Sequence, residues 1–239
     1  MKNLFDIHCH ILPGVDDGSD SIEESLAMLK KEYEDGVQNV ILTPHYRRRM
    51  FETPAEKILM KYEELQGRAK QILPEINLYL GAEIHSNLEM IEALQKREQL
   101  AMAGSLFVLI EFSEGDEKDY IRERCYNLKA HGYDPIVAHV ERYQAVLGNL
   151  DFVNELRELG ALIQVNANSI IGKDGFRVKR FCKHLMQERM LDFVGSDGHG
   201  IKERVPRMGE CAAYMEKKMG SGYTKKILIE NPSEIIKGR

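Results

Sequence analysis

Short apolar runs alternate with longer amphipathic stretches along most of the chain. Seven of these runs are rich in branched aliphatic residues and predict β-strands. The strands are expected at residues 4–8, 40–43, 78–82, 107–110, 135–138, 162–165 and 193–195. Because strands that alternate with helices pair in parallel through right-handed crossovers, the pattern predicts an α/β fold.

Apolar residues recur at helical spacing between several of the predicted strands. Ile22 and Leu26 share one face of a predicted helix, and a second helix is predicted between residues 58 and 69. Ser21 followed by Glu24 predicts a capping box where the first helix begins. Seven strand–helix units in 239 residues favour a closed or nearly closed barrel, with a doubly wound open sheet as the alternative.

The composition is that of an ordinary globular chain, with 43% hydrophobic and 30% charged residues. The length suits one domain over residues 1–239. A net charge of −5 gives no indication of a nucleic-acid or membrane surface. No apolar run approaches the roughly 20 residues of a membrane span, and the first residues do not resemble a secretory signal. The four cysteines are far apart, so a cytoplasmic location is expected.

All but one of the predicted strands end in side chains that metals bind. The sixth strand is the exception, because it ends in the neutral amides Asn166 and Asn168. The carboxyl ends of parallel barrel strands converge on one face, so residues distant in sequence are expected to meet there. The candidate ligands near these strand ends are His8, His10, His45, Glu83, Glu111, His139, Asp197 and His199.

The spacing of His8 and His10 places both imidazoles on the same side of a strand, where they can reach one metal. Mixed imidazole and carboxylate ligands suit borderline divalent ions such as Zn, Mn, Fe or Co. A lone histidine is more often structural, but charged groups at six of seven strand ends would repel without compensation. Metal cations are the simplest compensation. His85 lies just past the third predicted strand and is a candidate supporting residue.

Several motifs in the same order resemble the polymerase-and-histidinol-phosphatase (PHP) superfamily over nearly the whole chain. The particular resemblance is to the bacterial manganese-dependent protein-tyrosine phosphatases of capsule and exopolysaccharide operons. It begins with residues 6–19, which read Asp-Ile-His-Cys-His-Ile-Leu-Pro-Gly-Val-Asp-Asp-Gly-Ser. The further motifs are Thr43-Pro-His45, Gly81-Ala-Glu83, Ile110-Glu111, Ala138-His-Val-Glu-Arg-Tyr143, Gln164-Val-Asn-Ala-Asn168 and Gly195-Ser-Asp-Gly-His199.

This resemblance implies a single-domain, PHP-type, distorted seven-unit (β/α) barrel that binds three divalent ions. Manganese is the expected metal, with Fe, Co or Zn as alternatives. The ligands implied for the first ion are His8, His10, Glu83 and Asp197. The second ion is implied to share Glu83 and to add Glu111 and His139. The third is implied to take Asp17, His45 and His199, with Asp16 as the alternative to Asp17.

The resemblance also implies two catalytic arginines, which match Arg142 and Arg204. The implied substrate is a phosphotyrosine protein, a bacterial tyrosine kinase that controls capsular or exopolysaccharide synthesis. Arg47 and Arg48 follow His45 in a loop that should border the site, where they would attract an acidic phosphopeptide.

No cysteine is followed by arginine six residues later, so the spacing excludes a cysteine-based phosphatase loop. Hydrolysis is expected to proceed by direct attack of hydroxide on phosphorus, without a covalent enzyme intermediate.

Three alternative functions are a small-molecule phosphatase of the histidinol-phosphate type, a metal-dependent nuclease and a non-catalytic metal-binding module. The acidic composition disfavours the nuclease, because a nucleic-acid groove needs a basic stripe.

Overall fold

The computed structural model describes residues 1–238, and its strands and helices alternate as the apolar pattern predicts. The strands are β1 (Leu4–Cys9), β2 (Val37–Leu42), β3 (His45–Tyr46), β4 (Asn77–Leu80), β5 (Glu83–His85), β6 (Phe107–Glu111), β7 (Asp134–Val137), β8 (Leu162–Asn166) and β9 (Phe193–Gly195). The α-helices are α1 (Ile22–Glu34), α2 (Ala55–Ile72), α3 (Met90–Gln95), α4 (Lys118–Ala130), α5 (Leu150–Glu158), α6 (Ala167–Ile171), α7 (Phe176–Gln187), α8 (Met208–Met219), α9 (Ser221–Lys225) and α10 (Asn231–Ile236). Short 3₁₀ and π-helical segments lie at Met102–Gly104, Val140–Arg142 and Lys226–Glu230.

The strands form a curled, entirely parallel arrangement, which confirms the predicted α/β class. One sheet has the order β1–β2–β4, and the other has the order β3–β5–β6–β7–β8–β9. The chain after β9 returns to β1, since the Asp197 N–H donates to the His8 carbonyl at 2.7 Å and the His10 N–H donates to the Gly198 carbonyl at 2.9 Å. Curling therefore brings the last strand of the second sheet beside the first strand of the chain.

Two of the predicted strands, which match β2 and β4, are each followed by a further short strand that was not predicted. Residues 43–44 separate β2 from β3, and residues 81–82 separate β4 from β5. Hydrogen bonding continues across these breaks, because the Gly81 N–H donates to the Leu42 carbonyl at 2.8 Å and the Glu83 N–H donates to the Pro44 carbonyl at 3.1 Å. The apolar pattern did not predict β3 and β5, which are only two and three residues long.

Apolar side chains fill the end of the curled sheet where the strands begin. Phe5, Phe107 and Phe193, at or next to the first residues of β1, β6 and β9, belong to one buried cluster. Met102 and Ile235 belong to the same cluster. Because this end is filled with hydrocarbon, the buried polar side chains of the interior gather at the opposite end, where the strands finish.

The outer helices pack their apolar faces against the other side of the strands. In α1 the apolar residues Met28 and Leu29 are buried, and Ser21 caps the helix by accepting the N–H of Glu24 at 3.2 Å, as predicted. The Glu24 carboxylate accepts the N–H of Asp20 at 3.1 Å, one residue before the position that a capping box requires. Among residues 1–238, no helix is both long and apolar enough to span a bilayer.

Candidate metal centre

Residues at β1, β3, β5 and just after β7 place four imidazoles around one fully buried carboxylate, that of Glu83 at the start of β5. Its Oε1 atom lies 3.2 Å from Nε2 of His8 and 2.8 Å from Nε2 of His139. Its Oε2 atom lies 3.3 Å from Nε2 of His10 and 2.9 Å from Nδ1 of His45. These five residues come from four different strand ends, so only the fold brings them together.

All nine side chains that the resemblance implies as ligands lie in this cluster. They form four overlapping groups, and within each group one ligand atom per residue lies within 4.8 Å of the others. The groups are His10–Asp17–His45–His199, His8–His10–Asp197, His8–Glu83–His139 and His45–Glu83–Glu111. Each group has the nitrogen and oxygen donors that can hold a divalent ion.

Asp16 and Asp17 have different positions, although the sequence left both open as ligands. The Asp17 Oδ1 atom lies 3.5 Å from Nε2 of His45 and 3.6 Å from Nε2 of His199, facing the cluster. Asp16 Oδ2 instead lies 2.8 Å from Nδ1 of His10 and accepts the backbone N–H of His45 at 2.8 Å. Asp16 therefore holds His10 from behind and leaves its Nε2 atom directed at the cluster.

Four buried atoms of the cluster have no hydrogen-bond partner in the described part of the chain. They are Nδ1 of His45, Oε2 of Glu83, Oε2 of Glu111 and Nε2 of His199. His45 Nδ1 and Glu83 Oε2 are 2.9 Å apart, yet they do not have the angles of a hydrogen bond. An unsatisfied buried polar atom costs about 1–3 kcal/mol, so a shared cation is the partner that this donor set fits.

Two of the clustered residues have a left-handed backbone, which is uncommon for residues other than glycine. His139 has φ of 28° and Asp197 has φ of 50°. Each is held by a backbone hydrogen bond, since the Asp197 N–H donates to the His8 carbonyl at 2.7 Å and the His139 N–H donates to Gln164 Oε1 at 2.7 Å. Such strain persists only where neighbouring contacts determine the conformation.

Both arginines implied as catalytic border the cluster and pair with Asp197. The Arg142 guanidinium lies 2.8 Å from Asp197 Oδ2, and the Arg204 guanidinium lies 2.8 Å from Asp197 Oδ1. Arg48, which we predict to contact substrate, forms ion pairs with Glu52 and Glu89. The guanidinium groups next to Asp197 are thus placed at the cluster, whereas that of Arg48 is held by nearby carboxylates.

Comparison with known proteins identifies the family. Residues 4–237 match the family described as capsular polysaccharide synthesis, CpsB/CapC. The chain belongs to the CpsB/CapC family. The tyrosine-protein phosphatase CpsB of Streptococcus pneumoniae is 34% identical over 238 residues, covering 98% of each chain. The tyrosine-protein phosphatase YwqE of Bacillus subtilis is 31% identical over 237 residues, covering 99% of this chain and 92% of YwqE.

A solved structure of the same family has nearly the same fold. It is one of the crystal structures of YwqE from Bacillus subtilis and CpsB from Streptococcus pneumoniae, two proteins that are described there as unique metal-dependent tyrosine phosphatases. The TM-score is 0.92 at 29% identity, with 99% of this chain and 95% of that chain covered. A phosphotriesterase homology protein from Escherichia coli has a TM-score of 0.62 at 16% identity, which shows a similar fold alone.

Burial shifts the pKa values of this CpsB/CapC cluster in ways that favour a bound cation. Burial, reinforced by the charge of Glu83, raises the pKa of Glu111 to about 7. Burial also lowers the pKa of His139 to about 4, so its ring is neutral at pH 7 and has a lone pair to donate. Burial opposes the charge on Glu83, but the surrounding histidines, His8 foremost, together outweigh it and hold the pKa of Glu83 well below its usual value.

Two residues that support this CpsB/CapC site were not predicted to do so, and the candidate supporting residue His85 contacts Ser113. Asp16 was considered only as a ligand, and Tyr143 was not assigned, although its hydroxyl lies 3.2 Å from Nδ1 of His139. The position of Tyr143 four residues after His139 was the available signal. His85 lies within β5 rather than beyond the strand, and its Nε2 atom lies 3.2 Å from the Ser113 hydroxyl.

Gly195 permits β9 to approach β1 closely beneath the cluster. A Cβ atom at Gly195 would lie 2.4 Å from Cβ of His8 and 3.2 Å from Nε2 of Gln164. Because β1 is packed on both sides, we expect Gly195→Ala to lower the free energy of unfolding by about 1–3 kcal/mol. Urea denaturation of the purified variant measures this change.

The matched control is Gly67→Ala in α2, where a new methyl group would meet nothing within 4 Å. It is expected to raise stability by about 0.5–1 kcal/mol through helix propensity. Unfolding of Gly195→Ala at the wild-type urea concentration would show that the close approach does not constrain His8.

Proposed function

We propose that this protein is a metal-dependent protein-tyrosine phosphatase. Its substrate would be a phosphotyrosine protein, a bacterial tyrosine kinase that controls capsular or exopolysaccharide synthesis. Similarity over nearly full length to the named tyrosine-protein phosphatases CpsB and YwqE supports the activity. The single observation that carries the proposal is the buried Glu83 carboxylate surrounded by four imidazoles, because that donor set fits divalent cations.

We propose that the cluster holds three divalent ions, with manganese as the expected metal and Fe, Co or Zn as alternatives. Residues His8, His10, Glu83 and Asp197 would hold the first, since both imidazoles lie within 3.6 Å of both carboxylates. Glu83, Glu111 and His139 would hold the second, and Asp17, His45 and His199 the third. When bound, such ions would lower the pKa of water and stabilise the charge on the attacking and leaving oxygens of an in-line displacement.

The two arginines would bind and orient the phosphate. Arg142 contacts Oδ2 of Asp197 and Arg204 contacts Oδ1, so both guanidinium groups border the cluster. Their planar donors match the oxygens of a phosphate and would stabilise the charge that develops on them in the transition state. Burial of Arg142 opposes its charge, but the nearby carboxylates, Asp197 foremost, together outweigh that effect and raise the pKa of Arg142, so the group remains cationic.

We further infer that the curled sheet is a distorted seven-unit (β/α) barrel, in which β2 with β3 and β4 with β5 each form one unit. The match over residues 4–237 supports one metallophosphatase domain across residues 1–239.

The cytoplasm is the proposed location of the protein. Its support is that the four cysteines are free and buried, as is usual in a reducing compartment.

The proposed activity is tested by the rates of manganese-loaded protein on three substrates. A phosphotyrosine peptide is expected to be hydrolysed faster than histidinol phosphate, while single-stranded DNA remains intact. Preference for histidinol phosphate would favour a small-molecule phosphatase, and cleavage of the DNA would favour a nuclease. Metal binding without activity on any of the three would favour a binding module and contradict the proposal.

The predicted substrate-binding arginines should contribute unequally. The charges of His45 and Arg47 act on the Glu111 carboxyl against its burial, so Arg47 is close enough to influence the cluster. Arg48 is occupied by Glu52 and Glu89. We expect Arg47→Ala to raise KM for an acidic phosphopeptide roughly 2–5-fold, equivalent to about 0.5–1 kcal/mol, with kcat nearly unchanged.

Arg48→Ala is the matched variant and should change KM less. Steady-state kinetics at low and high salt measure both effects, since screening should reduce the Arg47 effect. An equal KM for Arg47→Ala and wild type at low salt would exclude Arg47 from substrate binding.

A further inference from the structure

Strand β8 contributes no predicted ligand, although it lies between β7 and β9, whose ends carry His139 and Asp197. Near its carboxyl end, β8 places the amide side chains of Gln164 and Asn166 in the interior, with exposed fractions of 0% and 1%. Buried amides are retained where their hydrogen bonds are satisfied. The partners of these two amides therefore indicate what the strand does.

The Gln164 carboxamide accepts at one end and donates at the other. Its Oε1 atom accepts the backbone N–H of His139 at 2.7 Å and lies 3.3 Å from Nδ1 of His8. Its Nε2 atom donates to the Val165 carbonyl at 2.8 Å and to Asn166 Oδ1 at 3.0 Å. Because a backbone N–H can only donate, the oxygen must face His139, and this fixes the orientation of the amide.

The hydrogen bonds of the Asn166 carboxamide also have a fixed donor and acceptor. Its Oδ1 atom accepts from Gln164, so its Nδ2 atom is the end that donates to Asp197 Oδ2 at 2.9 Å. The backbone N–H of Asn166 donates to Glu141 Oε1 at 2.8 Å, which holds the residue in place. The two amides thus link β1 and β7 on one side to Asp197 after β9 on the other.

The direction of these bonds determines the tautomer of neutral His8. Since Gln164 Oε1 can only accept, Nδ1 of His8 must carry the proton. The lone pair then resides on Nε2, which faces Glu83 at 3.2 Å and Asp197 at 3.6 Å. A metal-binding histidine needs this arrangement, in which the other ring nitrogen is held by an outer hydrogen bond.

We propose that Gln164 and Asn166 form an amide relay that positions three ligands contributed by neighbouring strands. The relay sets the tautomer of His8, holds the left-handed backbone of His139 and orients the carboxylate of Asp197. Both amides are positioning residues and contact no substrate. This inference rests on the proposed function, because it takes His8, His139 and Asp197 as metal ligands.

The test replaces Gln164 by methionine, which has a similar shape but no acceptor for His8 or His139. Manganese affinity is measured by competition with a chelator, and kcat and KM are measured at saturating manganese. We expect Gln164→Met to weaken manganese binding about 10–100-fold. Activity should recover substantially at saturating metal, because the residue positions ligands and does not react.

The matched control is Gln99→Met, the same substitution at another buried glutamine, 5% exposed, which is not in the cluster. It should leave manganese affinity unchanged. Gln164→Glu retains an oxygen facing His8 and His139 but loses the donor to Asn166, so it should recover only part of the affinity lost in Gln164→Met. A loss of manganese affinity in Gln99→Met as large as that in Gln164→Met would overturn the proposal.

A lower melting temperature of metal-free Gln164→Met with wild-type manganese affinity would also overturn the relay and leave the proposed function intact. Failure of the wild type to bind manganese would instead contradict the proposed function itself. If Gln164→Met does not fold, Asn166→Ala provides the same test, because it removes the donor to Asp197 Oδ2. Wild-type affinity in Asn166→Ala would then overturn the relay.

Discussion

Replacement of Glu83 by glutamine is expected to lower kcat/KM for a phosphotyrosine peptide by on the order of 10³-fold or more, because Glu83 acts as part of a unit. Each carboxylate oxygen faces two imidazole nitrogens at 2.8 to 3.3 Å. Glutamine keeps the shape of the side chain but removes its charge and replaces one ligand oxygen with an N–H donor. Metal content measured together with kinetics should show that bound metal is lost with activity.

Glu32→Gln is the matched control for this variant. Glu32 is also fully buried, and burial together with the charge of Asp6 raises its pKa well above the usual value. Burial therefore favours the neutral form of Glu32, so an amide should replace it with little loss of metal or activity. Full metal content and wild-type kinetics in Glu83→Gln would exclude Glu83 as a shared ligand.

Removal of metal by a chelator is expected to lower the melting temperature substantially. Four buried atoms of the cluster lack a hydrogen-bond partner in the described residues and would regain a partner when an ion binds. One ion present at 1,000 times its Kd stabilises by about 4 kcal/mol. For a chain of this size, that corresponds to roughly 8–16 °C.

Differential scanning calorimetry with and without manganese measures this shift, and re-addition of manganese after chelation is the control for irreversible damage. Glu83→Gln should show a smaller shift, because it has lost the oxygen shared between the ligand groups. An identical melting temperature in chelator and in manganese would contradict a metal-stabilised cluster.

The apolar pattern predicted the fold well, because periodicity records which side of a strand is buried. It placed the seven strand regions and the parallel α/β class correctly. It could not show the breaks at residues 43–44 and 81–82, since hydrogen bonding and burial both continue across them. The local sequence was therefore enough to predict where the strands lie. It was not enough to predict where they are interrupted.

The positions of the candidate ligands followed from the same logic, since strand ends converge in any curled parallel sheet. The residues that hydrogen-bond to these ligands could not be predicted in this way, because tertiary contacts bring them together. Asp16 and Asp17 are chemically identical, and only the structure separates the residue behind His10 from the residue that faces His199. The supporting role of Gln164 could not be predicted from the sequence, because a neutral amide at a strand end is most often a structural residue.

The most direct test of the central claim is a crystal structure of manganese-loaded protein with anomalous diffraction data collected at the manganese edge. We predict anomalous peaks among the imidazoles and carboxylates around Glu83, with Asp17 on the side of His45 and His199. Each peak should lie within about 2.0–2.3 Å of its nitrogen and oxygen ligands. Absence of any peak there at saturating manganese, with His8, His45, Glu83 and Asp197 directed away from one another, would contradict the account.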